Sequence, residues 1–260
     1  MKAFASNGRY WLLGLMTIGA LVTTFWLPPI PQDPAYHEFA DGRTFFGIPN
    51  FWNLISNLSF VLVGLFGLSR WSRLRPGVWR MAYTVFCIGA VLIGFGSAYY
   101  HFAPSARGLV WDRLPMTVAF MAFFSLVVHD RISEKLGRVI FWPLIFAGLS
   151  SVGYWYWTEC QGQGDLRLYA LVQFLPLLLI PFILLLWNGN GLAAAWIWAT
   201  LGTYSLAKAV EHFDESILVA TGVVSGHSIK HVLAALAMLW IVLAVERNRH
   251  GRPSEKYQGR

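Results

Sequence analysis

The sequence has too little charge for a protein that folds in water. Charged residues make up 13% of its 260 residues, whereas a soluble domain carries about 25%. Hydrophobic residues make up 56% of the chain, the mean hydropathy is +0.51, and the apolar residues come in long runs. The composition therefore excludes a soluble nucleotide-binding fold, a disulfide scaffold and a disordered regulator. It predicts a membrane protein that crosses the bilayer several times.

Cysteine is also nearly absent, and the basic residues are not arranged for binding nucleic acid. Cys87 falls in an apolar run and Cys160 in a polar loop, so a disulfide between them is not expected. The net charge is +7, but lysine and arginine cluster in the short segments between apolar runs and in the C-terminal tail. This distribution is typical of membrane topology. We therefore predict no nucleic-acid partner.

Eight apolar segments are candidates for transmembrane helices. A bilayer core of about 30 Å needs about 20 helical residues, and the second and fourth segments are the shortest. The first segment ends in three prolines within five residues rather than in small residues, which favours a retained anchor over a cleaved signal peptide. The segments are residues 11–27, 54–68, 81–100, 115–128, 139–156, 168–187, 192–210 and 227–245.

Positive charge alternates between successive loops, which predicts the orientation of the chain. Lysine and arginine precede the first segment, follow the second and the fourth, and recur in the tail, whereas the other loops hold most of the acids. By the positive-inside rule, both termini are cytoplasmic. The even number of segments agrees. The basic residues are Lys2 and Arg9; Arg70, Arg73, Arg75 and Arg80; Arg131, Lys135 and Arg138; and Arg247, Arg249, Arg252, Lys256 and Arg260.

Three histidines stand at the ends of apolar segments, where ionisable groups are costly and indicate function. His101 closes the third segment, and His227 and His231 open the eighth. In the predicted orientation, these two ends lie at the same outer face of the membrane. His227 and His231 are four residues apart, so both imidazoles project from one helical face. The three side chains predict a metal site of the catalytic zinc type, with about 2.0–2.1 Å between nitrogen and metal and one position open to water.

Two further polar residues are predicted at the same level. Ser97 precedes His101 by four residues, on the same helical face, and Asp112 begins the fourth segment. A metal lowers the pKa of bound water from 15.7 to about 7, and a neighbouring carboxylate can take its proton. A serine hydroxyl can donate a hydrogen bond to the oxyanion that forms when water attacks a carbonyl. These residues together predict a hydrolytic centre.

Each of these residues also has a structural interpretation. Histidines at span ends often lie in the polar membrane interface, and Ser97 has the size that suits helix packing. Asp112 stands three residues before a proline, as a helix-capping residue would. Nearby, the spacing of Lys208 and Glu211 predicts a salt bridge. Helical geometry turns Lys230 away from the face shared by the two histidines that flank it, so that it would extend to the membrane surface or pair with an acid of an outer loop.

Four short segments form a pattern that is specific when found in this order. They contain S-x-x-x-H, D-x-x-P-M and H-x-x-x-H, preceded by a polar stretch before the second apolar segment. The chain resembles the alkaline ceramidases, within a wider group of seven-helix membrane hydrolases, over about residues 50–243. The residues are Asn50, Phe51, Trp52, Asn53, Ser56, Asn57 and Leu58; Gly96, Ser97 and His101; Asp112, Arg113, Leu114, Pro115 and Met116; and Gly226, His227 and His231.

The resemblance implies an architecture. The chain is expected to be an all-α, polytopic membrane helix bundle with a seven-helix core and one extra N-terminal transmembrane helix. The implied divisions are 1–28 for a cytoplasmic stub and the extra helix, 29–246 for the ceramidase-like hydrolase, and 247–260 for a polar cytoplasmic tail.

The resemblance also implies a reaction and the residues that perform it. Zn²⁺ would be bound by His101, His227 and His231, with water as the fourth ligand, near the outer face of the membrane. Ser97 and Asp112 would be catalytic and assist the attack of that water on the amide carbonyl of ceramide. The products would be a sphingoid base and a free fatty acid.

One departure from the family concerns calcium. The eukaryotic enzymes have an N-terminal calcium site, built from an acidic cluster and a glutamate before the Phe-Trp-Asn segment. In this chain Asn50 stands at the glutamate position, and Asp33, Glu38 and Asp41 have a different spacing. These differences argue against a Ca²⁺ site.

Other functions stay open. The chain is alternatively a receptor-like or scaffold membrane protein with a structural zinc, or a hydrolase of another lipid amide or ester. A transporter is disfavoured because transport sites usually lie at mid-membrane depth. The predicted partners are a lipid substrate and the membrane itself. The sequence does not indicate an oligomeric state.

Overall fold

The described part of the chain folds almost entirely into helices. The structure, a computed structural model, covers residues 2–74, 79–189 and 191–247. Arg75 and, beyond its first residue, the predicted tail lie outside this description. The helices are α1 (Lys2–Trp26), α2 (Phe51–Ile55), α3 (Leu58–Ser69), α4 (Arg80–Phe102), α5 (Ala106–Arg131), α6 (Glu134–Cys160), α7 (Arg167–Leu186), α8 (Ala194–His212), α9 (Asp214–Thr221) and α10 (Gly226–Arg247).

Within the described residues, six helical stretches are long and apolar enough to cross a membrane, and the protein is an integral membrane protein. They are Phe51–Ser69, which joins α2 and α3, and Arg80–Phe102, Ala106–Arg131, Glu134–Cys160, Arg167–Leu186 and Gly226–Val245. Six of the eight predicted segments are thus confirmed as candidate spans. The remaining two segments are helical as predicted, in α1 and α8, but are not among the six. The second half of α8 carries Lys208 and Glu211, which lowers its apolar character.

The helices pack around a central core in an order that follows the chain. Helix α3 packs on α4, α4 on α5, α5 on α6 and α6 on α7, while α10 contacts both α3 and α8. Helix α1 packs on α7, outside this arrangement. Large apolar side chains face outward, with Trp11 72% exposed and Phe146 73% exposed. Such a surface is unfavourable in water and suits a lipid environment.

Helices α4 and α5 approach each other at backbone distance near the end of α4. A Cβ atom at Gly96 would overlap the Trp111 carbonyl group, and one at Gly89 would lie 3.1 Å from the Ala119 Cβ. Small residues commonly permit such close crossings between membrane helices. Pro115 lacks the N–H group that would otherwise bond the Trp111 carbonyl. The crossing therefore brings the residues next to Gly96 and Trp111 together across the two helices.

We expect Gly96→Ala to destabilise the protein, whereas Gly153→Ala is a matched control. The added methyl group at Gly96 meets backbone that cannot move freely, and overpacking of this kind costs about 1–3 kcal/mol. Gly153 is exposed on α6 and a Cβ there meets nothing within 4 Å, so alanine should be neutral or stabilising by up to about 1 kcal/mol. Thermal unfolding in detergent measures both. Equal melting temperatures for the two variants would contradict the close crossing.

Candidate metal centre

The structure brings the three predicted histidines together. His101 lies in the last turn of α4, and His227 and His231 lie in the first two turns of α10. One nitrogen atom from each imidazole lies within 4.8 Å of the others. The ring centroids form a nearly equilateral triangle, with separations of 4.9, 4.9 and 4.8 Å. All three side chains are buried.

A serine on the polar segment before α3 fixes the orientation of one imidazole. Ser56 Oγ lies 2.8 Å from His231 Nδ1 and donates its own hydrogen to the Asn53 carbonyl, at 2.9 Å. Because a hydroxyl has one hydrogen to donate, the His231 Nδ1–H group must be the donor to Ser56. The Nε2 lone pair of His231 is therefore free, which is the tautomer that a metal ligand requires.

The same segment and Asp214 hold the N-terminus of α10. Asn53 Oδ1 accepts hydrogen bonds from the hydroxyl groups of Ser225 and Ser228, at 3.2 and 2.7 Å. Asp214 Oδ1 accepts one from the His227 backbone N–H, at 2.7 Å. A Cβ at Gly226 would overlap the Val210 carbonyl, so a glycine is required before His227. These contacts fix the start of α10, with its two histidines, against α2, α8 and α9.

The three imidazoles fit a transition metal such as zinc. Three histidines form the donor set of a catalytic zinc site. His101 Nδ1 is buried and has no hydrogen-bond partner among the described residues, and such a group in a folded protein calls for an explanation.

The Phe39 ring lies 4.6 Å from the His101 ring and 5.2 Å from the His227 ring. The cluster is therefore covered on the loop side by an apolar side chain.

Arg43 attaches the loop that carries Phe39 to the segment before α10 and forms an ion pair within the loop. Arg43 donates hydrogen bonds to both carboxylate oxygens of Asp41, at 2.7 and 2.8 Å, and to the Val223 carbonyl, at 2.5 Å. The hydrogen bonds from Arg43 hold the pKa of Asp41 below its ordinary value. Asp41, one of the acids considered for calcium, thus already has an arginine as its counter-ion.

Ser97 and Asp112 lie close to each other across the crossing of α4 and α5, where a Cβ at Gly96 would lie 3.4 Å from the Asp112 backbone nitrogen. Ser97 is buried on α4. Both residues line one cavity together with His231. The alternative of Asp112 as a helix cap is wrong, because α5 begins at Ala106 and its N-cap is Ser105, whose Oγ accepts from the Gly108 N–H at 3.0 Å.

Two lysines and a glutamate also face this cavity. The predicted Lys208–Glu211 salt bridge is confirmed, at 2.5 Å. Lys230 differs from the prediction, since its Nζ lies 2.8 Å from Glu211 Oε1 and 3.1 Å from His227 Nε2. The long lysine side chain turns toward the nearest carboxylate, which lies on α8 and could not be located from the spacing within α10.

The cavity extends from these polar groups into the apolar interior of the bundle. Its volume is about 350 Å³, within the range of small-molecule sites. Along α4 its lining residues run from Ser97 to Phe86, which corresponds to about 16 Å of helix. Most of its walls are apolar, and they include Phe60, Ile93, Met116, Phe123 and Ile180. The site is therefore polar at one end and apolar along the rest of its length.

Comparison with known proteins agrees with this arrangement. A family model described as Ceramidase matches residues 46–184, more than half of the chain. The matched region contains Ser97, His101 and Asp112. His227 and His231 lie beyond it in the sequence, and the fold brings them to the same site. A search of curated proteins finds no match. The chain therefore belongs to the ceramidase family, and this membership implies a hydrolase that acts on the amide bond of ceramide.

Proposed function

We propose that the protein is a zinc-dependent lipid amidase that cleaves ceramide into a sphingoid base and a fatty acid. The observation that carries this proposal is the triangle of three buried imidazoles next to Ser97 and Asp112, at the polar end of an apolar cavity. His101, His227 and His231 would hold the zinc ion. When bound, zinc lowers the pKa of water to about 7 and polarises a carbonyl group.

Asp112 and Ser97 would perform the proton transfer and the stabilisation of charge. The Asp112 carboxylate would take a proton from the attacking water and return it to the departing amine nitrogen. The Ser97 hydroxyl would donate a hydrogen bond to the oxyanion that develops on the amide carbonyl. The position of both residues at one cavity with His231 supports these roles.

The apolar cavity would receive the acyl chain of the lipid. Its walls match a hydrocarbon chain, so only the amide group needs polar partners, and these stand at one end. A structural zinc site is usually closed by four protein ligands. The cavity beside His231 therefore favours hydrolysis over the structural zinc of a receptor-like or scaffold protein.

We further propose the membrane topology expected from the sequence. The hydrolase would span residues 29–246 with seven helices, after a stub and an extra helix in residues 1–28 and before a cytoplasmic tail in residues 247–260. Both termini would be cytoplasmic, with the metal site near the outer face. The alternation of basic loops supports this orientation. The position of the histidines at the end of α4 and the start of α10 supports the location of the site.

We expect His231→Ala to abolish both zinc binding and fatty-acid release, because two imidazoles and water form a far weaker site. Zinc content by elemental mass spectrometry and hydrolysis of ceramide in detergent are the measurements. His212→Ala is the matched control, since His212 is an exposed histidine at the end of α8. Unchanged hydrolysis by the His231 variant would remove the metal from the mechanism.

Asp112→Asn should retain zinc and lose about 100- to 10,000-fold in kcat, since it removes a general base and preserves the shape of the side chain. Zinc content and kcat are measured on the same preparation. If zinc is lost together with the rate, Asp112 contributes to metal binding and the assigned proton transfer is wrong.

Ser56→Ala should weaken zinc affinity by about 10- to 100-fold, because the hydrogen-bond partner of a metal-binding histidine sets its tautomer and orientation. Competition with a chelator of known affinity measures this change. Ser59→Ala is the control, because the Ser59 hydroxyl donates to the Ser56 backbone carbonyl, at 2.7 Å, and not to a histidine. Equal zinc affinities for the two variants would contradict the orienting role of Ser56.

A further inference from the structure

Arg113 is a buried cation with neutral partners. Its side chain lies among the faces of aromatic rings, with the guanidinium carbon 4.2 Å from the centroid of Trp155 and 4.8 Å from that of Tyr169. One terminal nitrogen donates a hydrogen bond to Gln32 Oε1, at 2.6 Å. The other, NH1, is buried without a hydrogen-bond partner. Arg113 is attracted electrostatically by the neighbouring Asp112 carboxylate, but no ion pair joins it to a described residue.

This arrangement is costly unless an anion completes it. A buried charge normally requires an opposite charge, because its desolvation is expensive. Cation–π contacts stabilise a guanidinium but leave its charge uncompensated. At the other end of α5, the buried Arg131 lies next to a carboxylate, with its Nε 2.9 Å from Asp130 Oδ2. Of the two buried arginines of α5, Arg131 thus has a carboxylate of the protein as its counter-ion, whereas Arg113 forms no ion pair with a described residue.

Arg113 lies at the cavity, so an anion that binds in the cavity could serve as its counter-ion. Arg113 follows Asp112 directly and lines the same cavity as Ser97 and His231. The other lining cations, Lys208 and Lys230, share Glu211 as their partner. The charged lining residues are Asp112, Arg113, Lys208, Glu211 and Lys230. They comprise more cations than carboxylates, and Arg113 is the cation among them without an ion pair.

We propose that Arg113 forms an anion-binding subsite of the cavity, which takes the carboxylate of a lipid. A guanidinium binds a carboxylate more strongly and with more defined geometry than it binds a neutral oxygen. The carboxylate has two sources, an acidic head group on the amide substrate or the fatty acid released by hydrolysis. The proposal deepens the proposed function, on which it rests for the claim that lipid enters this cavity.

The first arm of the test measures binding and needs no turnover. Dissociation constants of palmitic acid and of hexadecanol, a neutral analogue of the same length, are measured by calorimetry in an uncharged detergent. The wild-type protein should bind the acid more tightly than the alcohol. That preference should fall by about tenfold or more in Arg113→Gln, because a charge-assisted hydrogen bond to a carboxylate is much stronger than one from a neutral amide. Arg113→Lys should retain part of it.

Arg107→Gln is the matched control, since Arg107 is exposed on the same helix, and it should bind both lipids as the wild type does. A bound metal also attracts carboxylates, so the comparison is made between variants of equal metal content. If the wild type and Arg113→Gln prefer the acid over the alcohol to the same extent, Arg113 does not bind the carboxylate of the product. If the variants do not fold, the wild type alone decides: binding the acid and the alcohol equally would also show that Arg113 does not bind this carboxylate.

The second arm identifies an acidic head group. The ratio of kcat/KM for an N-palmitoyl amino acid to that for N-palmitoyl ethanolamine is compared between the wild type and Arg113→Gln. A ratio that falls about tenfold or more in the variant assigns the subsite to the substrate head group. Ratios and binding preferences that are both independent of Arg113 overturn the proposal. Acid binding that depends on Arg113 without hydrolysis of any lipid upholds the subsite and contradicts the amidase.

Discussion

Polar groups inside a membrane bundle must find their partners within the protein, because lipid offers none. This constraint accounts for the arrangement around the three histidines. The polar segment before α3 supplies Asn53 and Ser56, which are hydrogen-bond partners of Ser225, Ser228 and the Nδ1 atom of His231. These hydrogen bonds fix the start of α10 against α2, while His101 Nδ1 stays buried without a partner among the described residues.

The same constraint separates structural polar groups from functional ones. Lys208 and Lys230 both form ion pairs with Glu211, and the Asp41 carboxylate is paired with Arg43. His101 Nδ1 and Arg113 NH1 remain buried without partners among the described residues. Arg113 lines the polar end of the apolar cavity, and His101 belongs to the histidine cluster beside it. A metal ion and an anionic lipid group would complete these two polar groups.

The sequence predicts the histidine cluster because the cluster follows from the topology. Helices that cross the membrane in alternating directions have the end of α4 and the start of α10 at the same face of the bundle. It could not assign a contact between Ser56 and His231, which are 175 residues apart. The start of α5 was also missed, since residues 106–114 carry polar side chains although they are helical. This is why Asp112 was considered as a cap. The cavity, and the lack of an ion pair at Arg113, depend on how six helices pack. No local pattern in the sequence predicts this packing.

The central claim is that the buried imidazoles support metal-dependent hydrolysis of a lipid amide. The most direct measurement is fatty-acid release from ceramide by the purified protein before chelation, after removal of the metal, and after addition of zinc. The account predicts release that disappears with the metal and returns with zinc in proportion to the zinc bound. Release that persists at full rate in protein shown to be free of metal would contradict it.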